Sequence, residues 1–384
     1  MTRALLLTVL LLALADASVA AGTRKVGHDE EDLLSGAAVG LPREARSAVS
    51  LEEIVALDDD MRAFIRERTE GGDAFSKLTR LIDGMKERGL FALEYTVEET
   101  LTARASFHER RGNCLSFTVL FVVLAREAGL DVRYEVVDVP PSWSDQAELL
   151  AIGRHVDALV DIPHGSQYVV DFNGQEFQDR YTHRLASDEQ AIALFYNNLG
   201  AEALLRKDYT TAFLQLRAAI SRDPDLAAAW VNLGMLYWRI ARGTLAEAAY
   251  RQALTLDPRN GSALTNLTSL YRELGRTQLA AEYERRVHSY RLANPYYHYA
   301  IAQRAYDEQR FDDALHALRD AIKRKRDDPR FYDLQGRSYL GLGQPRDAEK
   351  SFDRARDYAP ATNKSRSNAE TAALSSDETT LEPR

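Results

Sequence analysis

The chain has one cysteine, Cys114, set in Arg111-Gly112-Asn113-Cys114-Leu115-Ser116-Phe117, where a short polar stretch gives way to an apolar run that lasts to Ala128 and ends at Gly129. That spacing predicts a thiol in the first turn of a buried helix. There, backbone N–H groups without helical partners and the helix dipole stabilise a thiolate, the nucleophilic form. Gly112 lets the backbone turn tightly into the helix. A nucleophilic cysteine needs a base within hydrogen-bond reach, and the base needs an orienting group. Of eight histidines, His155 opens the β-like run His155-Val156-Asp157-Ala158-Leu159-Val160, and Asp171 closes the next, Tyr168-Val169-Val170-Asp171-Phe172. Adjacent antiparallel strands would bring those two side chains together. His108 precedes the cysteine on another helix, His164 and His183 read as loop residues, and His288, His298 and His316 lie in the C-terminal half.

The elements that must position these groups are legible in the hydrophobic spacing. Residues 51–68 and 73–88 show helical periodicity, with Gly71-Gly72 and Gly89 as breaks, and a third helix covers about 100–110. After the cysteine helix come β-like runs at 132–139, 155–162 and 168–172. Helices first and an antiparallel sheet afterwards make an α+β arrangement. Gly-Asn-Cys opening a core helix, followed by His on one strand and Asp on the next, resembles the transglutaminase-like (papain-like) cysteine hydrolase superfamily over about residues 50–185. The resemblance implies Cys114 as nucleophile, His155 as base and later acid, Asp171 as orienter of the imidazole, and the Cys114 backbone N–H as one oxyanion donor. One position departs from the pattern: an aromatic residue often follows the histidine by two places, and Asp157 stands there. Pro140-Pro141-Ser142-Trp143 reads as a wall or lid of the cleft, or as a packing anchor. Arg110 and Arg111 read as a solvated helix end, with steering of an anionic substrate the alternative. No cofactor or metal is expected.

From Ala193 onward a step of 34 residues aligns Gly200, Gly234, Thr268, Ala302 and Gly336. A second column holds Ala212, Ala246, Ala280, Ala314 and Ala348, and a third Ala219, Ala253, Val287, Ala321 and Ala355. Pro224, Pro258 and Pro360 share a fourth, with Leu292 and Arg326 as departures. Small residues let two helices approach closely, and proline ends the second helix of each pair. Trp230, Leu233, Gly234, Tyr237, Ala253 and Pro258 carry the fullest copy. Residues 193–362 resemble five tetratricopeptide repeats, an all-α TPR solenoid behind the α+β domain. That resemblance implies a concave groove lined by the first helix of each pair, with Trp238, Tyr296, Tyr299, Tyr306, Arg272 and Arg337 along it, suited to a protein or peptide partner. Packing between helices is the equal alternative for the tyrosines. The Lys and Asn set by which some members clamp a C-terminal carboxylate is not apparent.

Arg3, the apolar run 4–15 and Ser18-Val19-Ala20 read as a secretory signal cut near Ala20, with an uncleaved anchor as the alternative. The expected organisation is then a signal at 1–20, a linker at 21–48, the α+β domain at 49–188, the repeats at 193–362 and a disordered tail at 363–384. With 45% apolar and 28% charged residues, the chain has enough apolar content for two folded domains. A net charge of -9 without a basic stripe argues against a nucleic-acid partner. A sole cysteine excludes an internal disulfide. The expected function is an exported cysteine hydrolase, periplasmic or secreted, with a protein-binding array. The alternative is a non-enzymatic adaptor in which the N-terminal domain only caps the repeats.

Overall fold

The computed structural model describes residues 30–47, 49–90, 99–138, 142–143, 149–151, 154–163, 166–172, 182–358 and 369–373. The expected signal, Pro140, Pro141, His164 and most of the expected tail lie outside the described residues.

Side-chain oxygens start most of the N-terminal helices. After α1 (Glu30–Leu34), Ser50 and Glu53 form a capping box at α2 (Leu51–Ile54). Asp58 caps α3 (Asp59–Thr69), Asp73 caps α4 (Ala74–Glu87) and Thr102 caps α5 (Ala103–Glu109). Each oxygen accepts from a backbone N–H that the helix leaves unpaired. The next helix, α6 (Cys114–Glu127), is buried at nearly every position from Leu115 to Ala125, so it has no polar face and runs through the domain centre.

The sheet follows: β1 (Asp131–Asp138), β2 (Ser142–Trp143), β3 (Leu149–Ala151), β4 (Arg154–Ile162), β5 (Ser166–Asp171), β6 (Thr182–Ala186) and β7 (Ala369–Ala373). Five strands lie in the order β6-β1-β4-β5-β7, antiparallel except for β5 with β7, and β2 pairs with β3 apart from them. Two strands of the five-stranded sheet, like the short β2 and β3, go beyond the sequence expectation. Thr182–Ala186 lacks an alternating pattern and becomes a strand through its pairing with β1. Ala369–Ala373 pairs with β5 within the stretch whose composition predicts disorder.

Alternation divides the sheet's side chains. Val132, Tyr134, Val136, Val156, Ala158, Val160, Tyr168, Val170 and Phe172 join the core that contains α6, which leaves Glu135, His155, Asp157 and Asp171 on the other face.

Ten helices follow as five hairpins: α7 (Asp188–Leu205) with α8 (Tyr209–Arg222), α9 (Ala227–Arg239) with α10 (Gly243–Leu256), α11 (Gly261–Glu273) with α12 (Thr277–Ala293), α13 (Pro295–Asp307) with α14 (Phe311–Arg324), and α15 (Pro329–Gly341) with α16 (Pro345–Tyr358). The small-residue columns sit where the paired helices touch. A Cβ on Gly200 would meet Leu216 at 2.7 Å, one on Gly234 would meet Tyr250 at 2.5 Å, and one on Gly336 would meet Phe352 at 2.5 Å. The proline column has a partner that the 34-residue step hides. Trp230 Nε1 donates to the Pro224 carbonyl at 2.9 Å, and Tyr332 Oη donates to that of Arg326 at 2.9 Å. His298 Nε2 lies 3.0 Å from the carbonyl of Leu292. All three rings occupy one repeat position, so a ring donor holds this turn even where proline is replaced.

The departure at Leu292 has its own effect. Whereas α8 and α10 stop before Pro224 and Pro258, α12 runs through Leu292 to Ala293. Beyond it the core is interrupted. One buried cluster extends from Leu33 through the α+β domain and the first three hairpins to Tyr283, and a second, built on Ala302, Ala317, Leu318, Ala321, Phe331 and Leu334, belongs to the last two.

Residues 30–47, expected as linker, are docked on the array. Tyr237 Oη donates to the Leu33 carbonyl at 2.5 Å, and the buried Arg217 guanidinium donates to the carbonyls of Leu34, Arg43 and Ala45. Backbone carbonyls at the end of α1 and in the segment after it, which lack helical or sheet donors, accept from two side chains of the repeats. Among the described residues, no helix is long and apolar enough to cross a membrane.

Candidate active site

The turn into α6 is built from its own polar residues. Gly112 has φ 144°, and a Cβ there would come within 2.9 Å of Ser116 Cβ, so a side chain is excluded on two grounds. Asn113 caps the helix: its Oδ1 accepts from the Ser116 N–H and from Ser116 Oγ, both at 2.9 Å. Its Nδ2 donates to Thr100 Oγ1 at 2.7 Å, and Ser116 Oγ in turn accepts from the Leu101 N–H at 2.8 Å. Residues 99–102 are thereby pinned to the first turn of α6, and Cys114 is left half-buried.

The far side of the site is set by strand register. Pairing between β4 and β5 starts at Ala158 with Val170, so Val156 precedes the ladder on that side, and Thr118 of α6 donates to its carbonyl at 2.8 Å. Phe172, just past β5, packs on Phe117 and Phe121 of α6. The start of α6 thus lies beside the start of β4, where Cys114 reaches the face that carries His155. The thiol lies near enough to the imidazole to favour its charged form. His155 Nε2 lies 2.6 Å from Asp171 Oδ1. The structure therefore brings Cys114, His155 and Asp171 into one group, with His155 and Asp171 3% and 4% exposed.

A fourth member is Asp157, which the sequence marks only as a departure from an aromatic position. Its carboxylate is fully buried, and Oδ1 lies 2.5 Å from His155 Nε2. The available signal is periodicity: on a strand, positions 155 and 157 share a face. Burial pulls the imidazole toward its neutral form, yet the carboxylates of Asp157 and Asp171, with the thiol, outweigh it and hold His155 well above the ordinary histidine range. Burial likewise pushes the Asp157 carboxyl up to about 6, against the pull of His155 and with Asp171 and Glu135 adding to the rise.

The other candidates are engaged elsewhere. His108 pairs with Asp58 at 2.6 Å, His183 lies on β6 beside Glu135, His288 is exposed and His316 contacts Arg319. Arg111 is neutralised by Glu99 and Glu109, while Arg110 is an exposed helix end with φ 57°. In the expected groove, Tyr296 and Tyr299 pack on Phe331 beneath Arg330, and Tyr306 packs on Phe311, all half-buried. Trp238 Nε1 donates to Glu273 at 2.7 Å, and Arg272 and Arg337 pair with Glu284 and Asp333.

Comparison with known families agrees with both halves. Residues 62–172 match the transglutaminase-like superfamily, and residues 198–258, 231–291, 299–333 and 334–368 match the tetratricopeptide repeat. The chain joins a transglutaminase-like domain to tetratricopeptide repeats. His155 and the three residues around it all lie within the segment that matches the transglutaminase-like superfamily. No curated protein matches the chain. Similar solved structures include a MamA protein, 21% identical over 44% of this chain and 91% of that one with a TM-score of 0.25. YrrB, described as a TPR protein with an unusual peptide-binding site, is 19% identical over 44% of this chain and 87% of its own, with a TM-score of 0.25. PilF of Pseudomonas aeruginosa is 19% identical over 45% of this chain and 79% of its own, with a TM-score of 0.26.

Proposed function

We propose that the protein is an exported cysteine hydrolase that cleaves a peptide or isopeptide amide through an acyl-enzyme, while its repeats hold the substrate or a partner protein. The observation that carries this reading is the buried group in which His155 joins the Cys114 thiol to the Asp171 carboxylate. Both carboxylates engage Nε2, which leaves Nδ1 as the base nitrogen. In the first half-reaction His155 takes the thiol proton and sulfur attacks the amide carbonyl. The Cys114 backbone N–H, at the start of α6, donates to the developing oxyanion. The C–N bond then breaks, and the imidazolium gives its proton to the departing amine. In the second, His155 deprotonates a water that attacks the thioester, releasing the acid and restoring the thiol. An amine in place of water would give cross-linking by the same intermediate.

Thiol alkylation tests this directly. With an imidazolium held beside it, Cys114 should react with iodoacetamide rapidly below neutral pH, and His155→Ala should slow the reaction by about 10²-fold. A parent rate equal to that of a free thiol would remove the reading's support. Substrates trapped by full-length Cys114→Ala, identified by mass spectrometry, would name the bond that is cut.

A further inference from the structure

Beside His155, β1 and β6 bring a second polar set to the same sheet face. Glu135 stands opposite Asp157 in the β1–β4 ladder, and His183 stands opposite Val137 in the β1–β6 ladder. One ligand atom from each of Glu135, Asp157 and His183 lies within 4.8 Å of the others. Glu135 is 7% exposed and Asp157 0%. Carboxylates directly opposed across a ladder repel, and buried charge has to be paired, neutralised or bound to a metal. The nearby cation on β1, Arg133, is turned to Asp161 at 2.5 Å. His183 Nδ1 lies 2.9 Å from Glu135 Oε2, but Asp157 Oδ2 and His183 Nε2 are buried without a hydrogen-bond partner. The Asp157 side chain thus stands beside a second carboxylate and an imidazole with a buried oxygen that has no donor.

We propose that Glu135, Asp157 and His183 form a binding site for a divalent transition-metal cation of the zinc class. Two carboxylate oxygens and one imidazole nitrogen suit that class, and three protein ligands leave a further position for water. Such an ion neutralises the opposed carboxylates and gives the unpartnered oxygen its ligand. Because Asp157 also touches His155, the ion and the imidazole compete for one carboxylate.

Calorimetric titration of the full-length Cys114→Ala protein with Zn2+, after chelator treatment, decides the matter, since this variant lacks the thiol as a rival ligand and the result does not depend on activity. A single tight site is expected, weakened at least tenfold by adding either Glu135→Gln or His183→Gln. Should Glu135→Gln fail to fold, His183→Gln carries the same test. Absence of binding, or an affinity in both variants unchanged from that of Cys114→Ala alone, overturns the proposal. Cobalt substitution of the parent supplies a second readout: d–d bands without thiolate charge transfer support the site, whereas strong charge transfer places the metal on Cys114 and overturns it.

Discussion

Two carboxylates at one imidazole nitrogen set the chemistry of this site at the residue scale. A single orienting carboxylate suffices to align a histidine; here Asp157 adds a second, buried and short of donors. Its proton has a measurable signature. The folded state raises the Asp157 carboxyl from the ordinary 3.8 to about 6, so native protein binds a proton there that unfolded protein has released. A group raised in this way contributes stability below its unfolded value, and that contribution is lost as pH climbs through the folded value. D157N has no such proton to lose. Its stability relative to the parent should therefore rise between pH 3.8 and about 6, then change little up to the histidine range. Denaturant midpoints across that interval check this, and a difference that stays constant with pH contradicts it.

At the scale of elements, close approach and chain termination do most of the work. The pairing of α9 with α10 depends on Gly234 lying against the Tyr250 ring, where a Cβ would sit 2.5 Å away. Gly234→Ala must displace a buried ring in a packed interface, and should cost about 1–3 kcal/mol in urea unfolding. A neutral result would mean that α10 shifts without penalty. The helix starts are similarly explicit: Ser50, Asp73, Thr102 and Asn113 each cap a helix whose onset the sequence predicts, whereas Asp58 caps a helix that begins inside the stretch 51–68 read as one. β6 is not explicit in this way, because its strand character comes from a partner 48 residues earlier, with His183 joined to Glu135.

Across the whole molecule, the array is tied to the transglutaminase-like domain at one end and loosened toward the other. Arg126 of α6 binds Asp188 of α7 at 2.6 and 2.8 Å, and Glu202 accepts from the Thr100 N–H at 2.8 Å, beside the cap of the cysteine helix. The shared core ends at Tyr283, and the last two hairpins rely on their own smaller cluster. Repeat arrays gain stability from each interface between neighbours, so the interruption after α12 should let α13–α16 open without the rest. Native-state hydrogen exchange should show amides of α13–α16 exchanging at a lower free energy than those of α9 and α11. Uniform protection along the array would rule out this division.

The sequence by itself determined most of the helices and the strands β1, β4 and β5 in their order, because helical and alternating periodicity and a 34-residue step are local signals that survive without tertiary context. It also singled out Cys114, His155 and Asp171, through a helix start and two strand ends. Only the tertiary structure decided which neighbours share a face across strands. Asp157, Glu135 and His183 meet through register between β4, β1 and β6, and register depends on pairing partners distant in the chain. The docking of residues 30–47 was hidden for the same reason: their polar, aperiodic composition reads as linker, and their order comes from Tyr237 and Arg217, nearly two hundred residues away.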